Sequence, residues 1–207
     1  DLHSFPTRRS SDLPTGVNSG VSLPWNFDFE NDLSGFIVKG NWALSKRLSN
    51  AEPPMREGSK QYIGIDGGSP TFKRSEESYL YLPPVDVSKA SEDDNLSLTA
   101  DVYNGFLGIS RAEIQAKLST DKEWKVIYET RLRPDITERR WERNTYSLRQ
   151  FAGSDKPLLI RFYFLGREEG PGWYLDNLEI RTDEKLPPAK VRSEEHTSEL
   201  QSHQPIS

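Results

Sequence analysis

Cysteine is missing from this 207-residue chain, methionine occurs once and histidine three times. Without cysteine there are no disulfides, no thiolate zinc sites and no thiol nucleophile. His3, His196 and His203 all lie near the two ends, so the interior offers no Ser-His-Asp or Cys-His arrangement and no imidazole ligand. No apolar run approaches the ~18 residues that cross a bilayer as a helix, so no membrane insertion is expected. A basic surface for nucleic acid is not expected either, because 27 Lys and Arg face 32 Asp and Glu for a net charge of −5.

The ends differ from the interior. DLHSFPTRRSSDL and RSEEHTSELQSHQPIS have neither periodicity nor a capped helix, and both match translations of sequencing-library adapter DNA. Residues 1–13 and 192–207 are therefore read as adapter-like tails, expected to be disordered. Residues 14–23 and 183–191 read as linkers, leaving one module over 24–182. With the tails set aside, 24 basic and 27 acidic residues remain, a net charge of −3.

What the interior does have is alternation. NLSLTADV puts Leu96, Leu98, Ala100 and Val102 on one side and Ser97, Thr99 and Asp101 on the other. AEIQAKLST, EWKVIYET and PLLIRFYFLG repeat the pattern, and WNFDFE, GNWALS, KQYIGID and ESYLYLP supply earlier candidates. Turn residues separate them at Asp66-Gly67-Gly68, Asn104-Gly105, Gly153-Ser154-Asp155 and Gly170-Pro171-Gly172. No window carries a helical stripe. Eight to eleven short strands predict an all-β, two-sheet antiparallel β-sandwich: a jelly roll of concanavalin-like or galactose-binding-like type. Trp42 and Trp124 read as core, and the charged RLRPDITERRWER (131–143) as a solvated loop.

GPGWYLDNLEI (170–180) poses a problem for this pattern. As a strand it would place Tyr174, Asp176, Leu178 and Ile180 on one face, three apolar or aromatic residues with a carboxylate among them. An unpaired buried carboxylate is costly. Backbone N–H donors, an arginine such as Arg161, or a metal ion are the available partners.

Together FDFENDLSGFIVKGNWALS (27–45), LPPVDVS (82–88), Trp124 and GWYLDNLEI (172–180) resemble MAM-type domains. The resemblance extends to bacterial adhesin modules, the C-terminal domains of immune-inhibitor-A-like metallopeptidases, and jelly-roll carbohydrate-binding modules. Asp28, Phe29, Glu30, Gly35 and Trp42 match the opening pattern, and the likeness spans roughly Leu23 to Arg181. It departs from animal MAM domains in lacking cysteine, which favours a bacterial relative. The resemblance implies that the first and last strands lie side by side with a structural calcium near where they meet. Glu30 and Asp176 would belong to the ligand set, completed by backbone carbonyls, with Asp28 or Asp32 as substitutes for Glu30.

Sugar recognition needs aromatic faces beside amides or acids. Trp141, Trp173, Tyr103 and Phe106 are the candidates, together with Tyr79 and Tyr81; core packing is the alternative for each. IDGGS (65–69) is read as a turn, and AEIQAKLST carries only one of the acids that glycanases line up on a strand. The expectation is a non-catalytic accessory module of a secreted or cell-surface bacterial protein. Its partner would be a glycan or a surface protein, alongside other domains of the parent chain. A metallopeptidase C-terminal domain and an adhesin spacer are the alternatives.

Overall fold

A computed structural model describes residues 20–45, 53–66, 72–91, 93–106, 110–130, 140–167 and 171–183. Both adapter-like tails, the 184–191 segment, Gly67, Gly68, Gly170 and residues 131–139 lie outside the described residues.

The described residues form eleven strands: β1 (Trp25–Phe27), β2 (Ile37–Lys39), β3 (Ala43–Ser45), β4 (Tyr62–Asp66), β5 (Glu77–Tyr81), β6 (Asn95–Asn104), β7 (Arg111–Leu118), β8 (Lys125–Thr130), β9 (Trp141–Ser147), β10 (Leu158–Leu165) and β11 (Pro171–Asp183). One sheet has the order β3-β4-β11-β6-β9, with β1 also pairing β11; the other is β2-β5-β10-β7-β8. Every strand pairing within the two sheets is antiparallel. The protein is an all-β sandwich, and the expected side-by-side placement of the first and last strands holds, with Trp25 opposite Ile180 and Phe27 opposite Leu178.

Alternation builds the core. Leu96, Leu98, Ala100 and Val102 of β6, Ala112, Ile114 and Ala116 of β7, and Leu158, Ile160, Phe162 and Phe164 of β10 all join one buried cluster between the sheets. Phe162 and Trp173 meet across the interface with ring centroids 5.5 Å apart. Trp42 packs there too, 5.8 Å from Trp173.

Three points differ from the sequence reading. Residues 20–23 already pack on the module: Val21 bridges Val85, and its N–H and C=O bond Pro84 and Asp86. Residues 141–143 are not loop but the start of β9, an edge strand whose charged and polar side chains hide its period. Trp124 is not core. It stands just before β8 on the solvent side of the five-stranded sheet, half-buried, with its ring beside Tyr81.

Candidate functional site

Strand β11 does not keep one parity along its length. Against β6, Asp176 faces Asp101 but Glu179 faces Thr99, so β11 carries one extra residue. Asn177 takes it up in the left-handed region at φ 45°, where asparagine is among the more tolerant residues. Tyr174 and Asp176 consequently lie on the outer face, while Leu178 and Ile180 turn inward to the core. The carboxylate was therefore never aimed between the sheets. It is nonetheless fully buried, because residues 53–61 cover this face.

That cover is held by an aromatic cluster. Tyr62, Tyr103 and Tyr174 are buried with Met55 and Trp141 against them. The Tyr62 hydroxyl donates to the Pro53 carbonyl at 3.0 Å, and Trp141 Nε1 donates to the Pro54 carbonyl at 2.8 Å. Gly64 makes the cluster possible, since a Cβ there would come 2.1 Å from the Tyr174 ring. An ionic anchor reinforces it. Arg56 from the cover pairs with buried Asp101, which also accepts from Asn177 Nδ2 at 3.0 Å and lies 3.3 Å from Arg143 Nη1.

Glu30 and Asp176 are brought together. Ser59 Oγ stands 3.1 Å from Glu30 Oε1, 2.9 Å from Asp176 Oδ2 and 3.0 Å from the Gln61 carbonyl. A hydroxyl has one proton, so it serves only one of these three acceptors at a time. Asp176 Oδ1 accepts the Asn177 N–H at 2.8 Å, and Glu30 Oε1 accepts the Lys60 N–H at 2.8 Å. Burial pushes the Asp176 carboxyl up to about 6, with the Asp101 charge adding to it, against the bonds from Ser59 and Asn177 and the charge of Arg56. Asp28 does not join the pair: its carboxylate accepts the Glu30 N–H at 3.1 Å on an exposed turn. Arg161 is no partner either, since it lies on the other sheet.

Of the expected sugar-binding residues, Trp173 is corrected outright. It is fully buried between the sheets because its part of β11 still follows the inward parity. Tyr103 and Trp141 belong to the covered cluster, and Phe106 packs on the core with its ring 5.2 Å from Phe164.

The open aromatic surface is on the five-stranded sheet. Register places Lys39, Tyr79, Tyr163, Glu113 and Glu129 in one row across it, and Tyr81, Arg161 and Gln115 in the next. The Arg161 guanidinium lies 4.1 Å from the Trp124 ring centroid, 4.7 Å from Tyr79 and 5.7 Å from Tyr81. Its Nε donates to Gln115 Oε1 at 2.6 Å and its Nη1 to the Tyr81 hydroxyl at 3.2 Å. Gln115 in turn donates to Glu113, which pairs with Arg111. Tyr79 donates to Glu77 at 2.8 Å; burial, then that bond, raises its hydroxyl pKa. Tyr79 and Tyr81 were legible as candidates. Arg161 and Gln115 were hidden in strands that looked purely structural, and Trp124 was misplaced in the core.

No protein-family model and no curated protein matches the sequence. Solved structures do match its fold. One is the K1 cleaved adhesin domain of Lys-gingipain from Porphyromonas gingivalis, at 14% identity and TM-score 0.55, over 77% of this chain and 98% of that one. The likeness is one of fold: both are antiparallel β-sandwiches. Weaker likenesses include CBM27-1 of Caldicellulosiruptor saccharolyticus, solved with mannohexaose, at 16% identity and TM-score 0.47 over 76% of this chain and 96% of that one. A xylan-binding domain from CBM 22 has 9% identity and TM-score 0.48 over 79% and 96%.

Proposed function

We propose that this chain is a non-catalytic glycan-binding module of a secreted or cell-surface protein, with its site on the outer face of the five-stranded sheet. The observation that carries the reading is the half-buried group of Tyr79, Tyr81 and Trp124 around Arg161 and Gln115. Rings offer a flat apolar surface to a pyranose, and the fixed amide and guanidinium supply directional bonds to hydroxyls. The polar members are held by one another, which limits the ordering cost on binding. Affinity electrophoresis through gels containing a panel of plant and bacterial polysaccharides tests this. At least one polymer should retard the protein, and Trp124→Ala should weaken that retention at least tenfold while shifting the melting temperature by no more than about 4 °C. Retention insensitive to Trp124→Ala and Tyr81→Ala places the site elsewhere.

A calcium ion at Glu30 and Asp176 belongs to the same reading, as a brace and not as a ligand for sugar. Among the described residues no three carboxylate, imidazole or thiol side chains converge. The donors would be the two carboxylates, the Ser59 hydroxyl and the Gln61 carbonyl, an all-oxygen set suited to calcium, which also takes backbone oxygens and water. The support is a surplus of acceptors: three oxygens surround one hydroxyl proton. Such an ion would tie the segment that follows β1 to β11 and to the covering segment. Calcium should raise the melting temperature, chelator should lower it, and Asp176→Asn should abolish the difference; a wild type indifferent to both removes calcium from the account.

A further inference from the structure

The cations on the five-stranded sheet are placed in an unusual way. Trp124 has the Arg161 guanidinium 4.1 Å from its ring centroid and the Lys117 ammonium 5.2 Å from it. Two like charges thus crowd one indole. Neither forms an ion pair with a carboxylate among the described residues. The acids of this face are engaged elsewhere: Glu113 with Arg111 and Gln115, Glu129 with Arg111 at 3.9 Å, and Glu77 with the hydroxyls of Tyr79 and Tyr163. Lys117 is 6% exposed, and its ammonium donates to the Asp121 backbone carbonyl at 2.8 Å. The ammonium of this nearly buried residue, with a neutral carbonyl and an indole as its partners among the described residues, is short of a counter-charge. Arg161 spends Nε and Nη1 on Gln115 and Tyr81, while its planar fork has five N–H donors in all.

We infer that the glycan bound here is acidic, a polysaccharide containing uronic acid, with the sugar carboxylate received between Arg161 and Lys117 beside Trp124. The inference rests on the sheet face being the glycan site and adds the charge of the ligand. Tyr81 and Trp124 provide the surface for the pyranose. The two cations select the carboxylate, because a charge-assisted bond to a partly desolvated guanidinium is stronger than a bond to a hydroxyl. The chemistry does not distinguish one uronic acid epimer from another, so the test uses several.

Affinity electrophoresis is run with polygalacturonate, alginate and glucuronoxylan, with fully methyl-esterified pectin and neutral xylan as uncharged partners, and with dextran sulfate as a generic polyanion. At least one uronate polymer should retain the wild type, and esterifying polygalacturonate, where that is the ligand, should weaken retention at least tenfold. Arg161→Gln should give a similar loss and Lys117→Gln a smaller one, and retention should fall as sodium chloride rises from 50 to 500 mM, roughly the range over which exposed charges become screened. If a neutral polymer binds as well, and Arg161→Gln leaves that binding intact while Trp124→Ala abolishes it, the acidic ligand is wrong and the face is right. Retention by dextran sulfate alone, indifferent to Trp124→Ala, overturns both. Should Arg161→Gln fail to fold, the esterified and free polymers still decide the matter with the wild-type protein.

Discussion

On the six-stranded sheet, the rings of Tyr62, Tyr103 and Tyr174 are buried beneath residues 53–61 with the half-buried Trp141 against them, and Tyr62 and Trp141 donate to that segment's Pro53 and Pro54 carbonyls. On the five-stranded sheet, Tyr79, Tyr81 and Trp124 stay half-buried, and what lies against them is a guanidinium and an ammonium. The two outer faces begin from the same stock of aromatic and charged side chains. What separates packing from the proposed recognition is the partner: a backbone carbonyl fixes a ring in place, whereas a stacked cation without a carboxylate leaves bonding capacity for something else. Aromatic content alone would have ranked both faces equally.

That contrast can be broken most severely at the core. Trp173→Ala should lower stability by ~3–5 kcal/mol in denaturant unfolding, the range for deleting a buried tryptophan. Trp124→Ala should cost less than ~1 kcal/mol, as for a half-exposed ring, while removing binding. If the two cost the same, Trp124 is part of the core after all.

Asp176 sharpens the covered face. In calcium-free protein its carboxyl, raised by burial from 3.8 to about 6, binds a proton more tightly when folded than when unfolded. The stabilising contribution of that proton is complete below the unfolded value and is lost as pH rises through about 6. Unfolding free energy should therefore fall between about pH 4 and 6.5 by on the order of 2–3 kcal/mol, with other groups superimposed. Asp176→Asn should lack this component, and added calcium should offset it in the wild type. A wild type and an Asn variant with parallel pH profiles would show that Asp176 ionises freely.

The smallest expected effect is at Trp141. Trp141→Phe keeps the ring against Tyr62 and Tyr103 but removes the donor to Pro54, which should cost ~0.5–1.5 kcal/mol. It should also speed proteolysis within 53–61 and leave glycan retention unchanged. Lost retention would make the covered face part of the site.

Much of this was legible from alternation. Every residue read as inward on β6 and β10 is inward, and the likeness of the first and last strands brought Glu30 and Asp176 to one place. What was not legible is irregularity. The extra residue at Asn177 reverses the parity of β11, so the side of Asp176 could not be counted from Ile180. A shift between β7 and β8 likewise breaks the series Trp124, Val126, Tyr128, which is why Trp124 was misread as core. β9 offers one buried side chain among charged and polar neighbours, too few to mark a strand. Trp173 resembles a turn residue because glycines flank Pro171, yet the ring lies wholly inside. Bulges and edge strands are where period two stops carrying information.

The most direct test of the account is an NMR titration of the ring and guanidinium resonances with a soluble uronate oligosaccharide. Binding at the five-stranded sheet predicts saturable shifts at Trp124, Tyr81, Tyr79 and Arg161, with Tyr62, Tyr103, Trp141 and Tyr174 unmoved. Shifts confined to the covered cluster, or none at any concentration while a neutral oligosaccharide moves the covered rings, would contradict it.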